Sequence, residues 1–222
     1  MIPLRDTQPS YSTPIVTVLI IAVNAVVFLF ELSLDPWSRN HLMATYGLVP
    51  AKVHLVSFVT SMFLHGGWLH IIGNMWFLWI FGDNIEDILG HVQYLVFYLL
   101  CGFAAAATQI ALSPGSWVPT IGASGAIAGV MGAYLIKLPH SRIRALVFIF
   151  ILFTTVELPA AWFLLYWFVL QLFSGAGALE NARAGQGGVA WFAHVGGFIA
   201  GIVLVKILPT SQPYRGRTEI HW

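Results

Sequence analysis

The chain has 222 residues, 58% of them hydrophobic and only 9% charged, with a formal net charge of +1. A soluble domain carries roughly 25% charged residues, so water is not the main solvent of this chain, and a single membrane domain over residues 1–222 is expected. The small net charge gives no reason to expect nucleic acid as a partner, and the only cysteine, Cys101, rules out an internal disulfide and a cysteine-based metal site.

In chain order, residues 1–13 carry Arg5 and read as a cytoplasmic N-terminal segment. A helix needs about 20 mostly apolar residues to cross a bilayer. Residues 14–34 meet that length and lack a small-x-small cleavage site, so they read as a retained first helix rather than a removed signal peptide. The second span, 69–89, follows the Gly66-Gly67 turn. It opens on His70 and Asn74, which are four apart and share one helix face. At its far end Asp83, Glu86 and Asp87 face the inner side, where capping or tying helices is their expected work. Gly90 separates this span from the third, 92–112, which Pro114-Gly115 closes. The fourth, 124–138, opens with Gly122-Ala123-Ser124-Gly125 and stops at Pro139.

Residues 145–156 are apolar but short for a span, and they run straight into Glu157-Leu158-Pro159. The expectation is an interfacial or partly embedded lead-in to a fifth helix at 158–178. Glu157 is placed toward the inner face, as a tie rather than a catalytic group. A glycine-rich joint at 185–188 precedes the sixth span, 189–208, which carries His194 in Ala193-His194-Val195-Gly196-Gly197. A cytoplasmic tail, 209–222, follows.

Six spans put both termini on one side. Arg5, Lys137, Arg142, Arg144, Lys206, Arg215 and Arg217 then fall inside, against Arg39, Lys52 and Arg183 outside, which the positive-inside rule reads as a cytoplasmic N-terminus. Polar groups within spans are costly unless partnered and so mark candidate sites. Taken singly, Ser124 reads as a serine bonded to its own helix, Asn74 as polar glue between helices and His194 as a packing contact. Topology changes this reading. Two crossings separate Ser124 from His194, so both begin helices that descend from the outer face, and His70 and Asn74 start another. All four converge on one shallow layer. Gly125-x3-Gly129 and Gly197-x3-Gly201 are small-x3-small faces that let two backbones approach closely, as a serine–histidine hydrogen bond of about 2.6–3.2 Å requires.

At these residues the chain resembles the rhomboid family of intramembrane serine proteases. The resemblance rests on His70-x3-Asn74, Gly122-x-Ser124-Gly125 and His194 with Gly196-Gly197, each on the expected helix, and extends to Glu86 and Gly90. It implies an all-α, six-helix rhomboid-like bundle in which Ser124 is the nucleophile and His194 the general base, with no acidic third member. Asn74, His70, the Ser124 backbone N–H and the loop at Gly122 would bind the oxyanion. No cofactor or metal is implied. The partners are transmembrane protein substrates and the lipid bilayer, and the expected location is a bacterial plasma membrane. Two departures stand out. Val56-Ser57 occupies the place where many members have Trp-Arg, and Ala128 the place where some have an aromatic residue packing on the histidine.

The chemistry agrees with the residues. Serine needs a base to become a nucleophile, and burial favours the neutral imidazole that a base requires. A helix N-terminus favours the negative charge of an oxyanion. Because a helical substrate has no free carbonyl, it must unwind before attack, so segments weakened by Gly or Pro near the outer face are the expected substrates. The alternative within the same fold is a catalytically inactive relative that binds client helices. A transporter is disfavoured by the absence of an internal repeat, zinc by the absence of H-E-x-x-H, and an aspartyl dyad by the absence of a partner for Asp83. His65, His70 and His194 lack a carboxylate to complete a metal site; His65 is assigned to shaping the loop.

Overall fold

A computed structural model describes residues 1–149, 152–182 and 190–210, with side chains described except at 148–149, 152 and 174–182. Arg183, the glycine-rich joint at 185–188, Val189, Arg215, Arg217 and the tail beyond residue 210 lie outside the described residues. The helices are α1 (Ile15–Ser33), α2 (Pro36–Tyr46), α3 (Ser57–Thr60), α4 (Trp68–Leu89), α5 (His91–Leu112), α6 (Ser124–Lys137), α7 (Ala160–Ala182) and α8 (Trp191–Ile207). Three strands join them: β1 (Ile2–Asp6), β2 (Arg142–Ile149) and β3 (Leu152–Pro159).

The helix boundaries follow local chemistry. Asp35 caps α2 by accepting from the Trp37 and Ser38 backbone N–H groups at 3.0 and 3.2 Å, and Pro36 sits in the first turn, where no N–H is needed. The Ser38 and Trp37 bonds hold the Asp35 carboxyl below the usual range. Gly90, at φ +78°, takes the left-handed turn that ends α4 and lets α5 begin at once.

Helix α6 runs through the middle. Its residues from Gly125 to Tyr134 are all buried, against α4, α5, α7 and α8. A helix that is apolar on every side belongs in the centre of a bundle. Close packing is obligatory here. A Cβ on Gly197 would collide with the Gly125 carbonyl, one on Gly201 with the Gly129 carbonyl, and one on Gly132 with the Phe198 carbonyl. The α6–α8 contact is therefore backbone against backbone, with dispersion rather than water release holding it in lipid.

The outside of the bundle is apolar too. Helix α1 exposes Val18, Leu19, Val23, Val26, Leu29 and Phe30, and α7 exposes Trp162, Leu165, Val169 and Phe173. Such a belt is a lipid-facing surface, not a water-facing one. Helices α1 and α5 are each long and apolar enough to cross a membrane, and α6 and α8 are shorter apolar helices. With 14 residues, α6 reaches about 21 Å, less than the ~30 Å hydrocarbon layer, so its ends cannot both lie at the surface.

The acidic cluster at the far end of α4 ties helices, as expected. Glu86 accepts from the Val16 and Thr17 N–H groups of α1 at 2.8 Å each and meets His91 Nδ1 at 2.6 Å. It thereby satisfies donors that a helix start leaves open. Asp87 accepts from the Tyr11 N–H at 3.1 Å and the Ser12 hydroxyl at 2.5 Å.

The all-α expectation needs correction. Residues 145–149 and 152–156, expected as a lead-in to the fifth helix, lie in the antiparallel strands β2 and β3, with β3 running directly into α7 and β1 added on the other edge of β2 in the order β1–β2–β3. Ile143 and Ala145 are fully buried while Arg142 is exposed, the two-residue alternation of a strand. Overall apolarity obscured that alternation, and β1 lies 139 positions away in the register Arg144 to Arg5, too far for any local pattern to announce. Arg144 pairs with Glu157 directly opposite, at 2.5 and 2.9 Å, which holds the exposed Glu157 carboxyl below its ordinary range. Tyr134 on α6 donates to Asp6 of β1 at 2.5 Å. Burial pushes the Asp6 carboxyl up to about 7.

Because β1 pairs with β2, the N-terminal segment and the connection after α6 share one end of the bundle. The helices α1, α4, α5 and the shorter α6 lie between them as the main passages, an even number.

Candidate active site

Ser124 is the first residue of α6, and its position is fixed by the turn before it. Gly122 adopts φ +117°, a conformation costly for any other L-residue. Its N–H donates to the Ser61 carbonyl at 2.8 Å, and Leu48 and Thr120 exchange backbone bonds at 3.0 and 2.8 Å. The segment around Leu48 and Ser61 thus clamps the approach to Ser124. A Cβ on Gly122 would fall 2.6 Å from His70 Nε2 and 3.4 Å from Asn74 Nδ2, so the polar ends of both residues meet this turn.

His194 lies in the first turn of α8, buried to 7% exposure. Its Nε2 is 2.7 Å from Ser124 Oγ, and its Nδ1 is 2.7 Å from Gln171 Oε1 of α7. Trp167 of α7 and Trp191 flank the ring at 5.9 and 6.0 Å between centroids. The aromatic contact that Ala128 cannot supply therefore comes from two other helices.

His70 and Asn74 occupy the first two turns of α4, on the face toward Gly122. The Gly66 N–H donates to His70 Nδ1 at 3.4 Å, which leaves the proton on Nε2, the nitrogen facing Gly122. His65 Nδ1 lies 3.3 Å from the Phe63 carbonyl, which accepts only, so Nε2 of His65 accepts from Asn74 Nδ2 at 2.9 Å. One amide hydrogen of Asn74 remains for another acceptor. Burial first, and His70 second, push His65 down to about 4, so its ring is neutral at physiological pH.

His65 does more than shape a loop: it is fully buried and holds Asn74 in place. Its backbone is held in turn, with the N–H donating to Glu31 Oε1 at 3.0 Å and the carbonyl accepting from Arg39 at 3.2 Å. At the Val56-Ser57 departure, Ser57 is buried and bonds the His54 carbonyl at 2.6 Å, so the loop is anchored locally and by Glu31 and Arg39.

The structure therefore brings together all four side chains singled out from sequence. Asp83 and Glu157 stand outside this cluster, at the opposite end of the bundle, where Asp83 accepts from Asn84 and Glu157 pairs with Arg144. Gln171 was missed. Its signal was a lone amide in the apolar run from Trp162 to Phe173, where an unpartnered polar group is costly.

Residues 52–211 match the sequence profile of the Rhomboid domain. The chain belongs to the rhomboid family. Among its relatives, the mitochondrial presenilin-associated rhomboid-like protein of Bos taurus is 34% identical over 133 residues, covering 59% of this chain and 34% of that protein. The mitochondrial RHOMBOID-like protein 6 of Arabidopsis thaliana is 30% identical over 161 residues, covering 72% of this chain and 46% of that protein. The chloroplastic Rhomboid-like protein 11 of the same plant is 25% identical over 201 residues, 83% of this chain and 65% of that protein. The chain thus spans about a third to a half of the first two relatives. Rhomboid membership and the apolar helices make it a membrane protein with a helical bundle.

Proposed function

We propose that this rhomboid is an intramembrane serine endopeptidase that cleaves transmembrane protein substrates through Ser124 and His194. The observation that carries this reading is the 2.7 Å contact between Ser124 Oγ and His194 Nε2, made across two helices by residues 70 apart in sequence. In the bland alternative the serine would bond its own helix backbone.

The steps follow from the geometry. Oγ of Ser124 attacks the scissile carbonyl while His194 Nε2 takes its proton. The oxyanion is met by the Ser124 N–H at the start of α6, by Asn74 Nδ2 and by His70 Nε2–H, whereas Gly122, expected to contribute a donor, has its own N–H spent on the Ser61 carbonyl and serves by shaping the turn. The intermediate collapses as the C–N bond breaks and the imidazolium returns its proton to the leaving amine. Water, deprotonated by the same nitrogen, then hydrolyses the acyl-serine and frees the enzyme. Since a substrate helix must open before its carbonyl can be reached, segments with Gly or Pro near the outer face are the favoured substrates.

Both termini are placed on the cytoplasmic side, a reading supported by the basic residues at one end and, for the N-terminal segment, by the β1–β2 pairing. A bacterial plasma membrane is the location proposed from sequence, whereas the relatives named above are mitochondrial and chloroplastic. The test mixes purified wild type or Ser124→Ala protein with a model transmembrane substrate in detergent. A fragment that depends on Ser124 is expected; no fragment from folded wild type, or the same fragment from both, would sink the reading.

A further inference from the structure

We propose that Gln171 is a positioning residue that fixes the tautomer of His194, so that the reactive nitrogen always faces Ser124 as an acceptor. This rests on the proposed protease reading and extends it by one member beyond the serine–histidine pair.

The argument runs along one chain of hydrogen bonds. The Gln171 side chain is buried to 6% exposure and has two polar neighbours. Its Nε2 donates to the Trp167 carbonyl at 3.4 Å, one turn back on α7, and its Oε1 faces His194 Nδ1 at 2.7 Å. Rotating the amide by 180° would set Oε1 against a carbonyl oxygen, which cannot donate, so the backbone of α7 decides which amide atom meets the ring. An amide oxygen can only accept. His194 Nδ1 must then carry the proton, and Nε2 is left with its lone pair toward the Ser124 hydroxyl at 2.7 Å. The opposite tautomer would place two acceptors against each other at Gln171 and would turn Nε2–H toward the Ser124 hydroxyl, which could accept it but would then have no base to take its proton. Trp167 and Trp191 limit the ring's rotation as well.

A neutral amide fixes orientation without adding charge. A carboxylate in its place would stabilise the imidazolium and delay its loss of a proton. The groups around the ring on neighbouring elements are few among the described residues. Helix α6 brings Ser124; on α5 the Thr108 hydroxyl lies against Gly196, two residues further along α8, and is spent on the Ala104 carbonyl at 2.8 Å; and on α4 His70 lies at the Gly122 turn before Ser124. No carboxylate is among them. A mere tie between α7 and α8 would work with either ring nitrogen and would leave the pH response untouched.

The experiment compares wild type with Gln171→Leu and Gln171→Glu, purified in detergent, by three readouts: cleavage of a model transmembrane substrate, its pH profile, and the imidazole 15N spectrum of His194. Gln171→Leu should lower kcat about 10- to 100-fold with little change in KM, as expected when a group orienting a reactive imidazole is lost. Its 15N spectrum should show mixed tautomers where wild type shows Nδ1–H alone. Gln171→Glu should retain activity but move the acidic limb of kcat/KM up by about one unit or more, because a carboxylate favours the charged ring. Full activity in Gln171→Leu, an unmoved limb in Gln171→Glu, or an Nε2–H tautomer in wild type would each overturn the proposal. The 15N readout needs no turnover, so a protein that proves unable to cleave would refute the protease reading while the tautomer assignment is still judged by the spectrum.

Discussion

Asn74 illustrates how much one residue depends on its neighbours. Its amide is aimed at the turn before Ser124 only because His65 accepts one of its hydrogens, and His65 is itself held by Glu31 and Arg39. Under the proposed mechanism, Asn74→Ala removes a donor used when the oxyanion forms. We expect kcat to fall by about 10²–10³ with KM nearly unchanged, measured on a model substrate. A loss expressed in KM alone would mean that Asn74 binds substrate and leaves the transition state to other groups. The roles of Ser124, His194, His70 and Asn74 were suggested by motif and by topology, since polar side chains in an apolar chain are few and each needs a partner. Gln171 and His65 belong to no such motif; the lone amide and the loop histidine were visible in the sequence, but their work is decided by the neighbour that each one touches.

At the scale of elements, the contact between α6 and α8 sets the distance on which the serine–histidine bond depends. Gly197 and Gly201 each lie against a carbonyl of α6. Gly201→Val would wedge the helices apart, costing on the order of 1–3 kcal/mol or more as overpacking does. The expected result is a lower unfolding temperature in detergent together with loss of reaction between Ser124 and a serine-directed phosphonate; an unchanged melt would show that the helices separate at no cost. The sheet offers a second test. In the folded protein, burial raises the Asp6 carboxyl from the ordinary carboxylate range to about 7. A carboxyl raised in the folded state contributes fully below its unfolded pKa, and that contribution fades as pH rises from about 4 through about 7. Stability should therefore decline over that window in wild type, and Asp6→Asn should flatten the decline, as followed by thermal unfolding at pH 5 and pH 8. An identical slope in both proteins would refute the assignment.

For the whole molecule, the sheet constrains topology. Thr7 donates its N–H to the Arg142 carbonyl at 2.9 Å, so the first residues and the connection after α6 emerge on the same side. Single cysteines placed at Thr7 and His140 in a Cys101→Ala background should both resist an impermeant maleimide added outside cells, while one at Lys52 should react. Labelling at Thr7 but not at His140 would contradict the pairing. The β2–β3 pairing also removes an ambiguity. Had residues 145–156 crossed the bilayer, Ser124 and His194 would begin on opposite faces; with β2 and β3 as paired strands, α6 and α7 are the helices between the two among the described residues.

Composition and apolar run lengths by themselves determined that this is a membrane bundle, because lipid admits few backbone arrangements and each leaves a long apolar signature. Order and spacing of His70, Asn74, Ser124 and His194 determined which residues to suspect, because a polar group in lipid demands a reason. Only the tertiary structure decided the sheet, in which β1 and β2 pair residues such as Arg5 and Arg144, 139 positions apart, and the residues that support the site from behind. Hydrogen bonds such as Gln171 to His194 and Asn74 to His65 depend on distances of about 3 Å between separate segments. No periodicity within either segment encodes that distance; the packing of helices around α6 sets it.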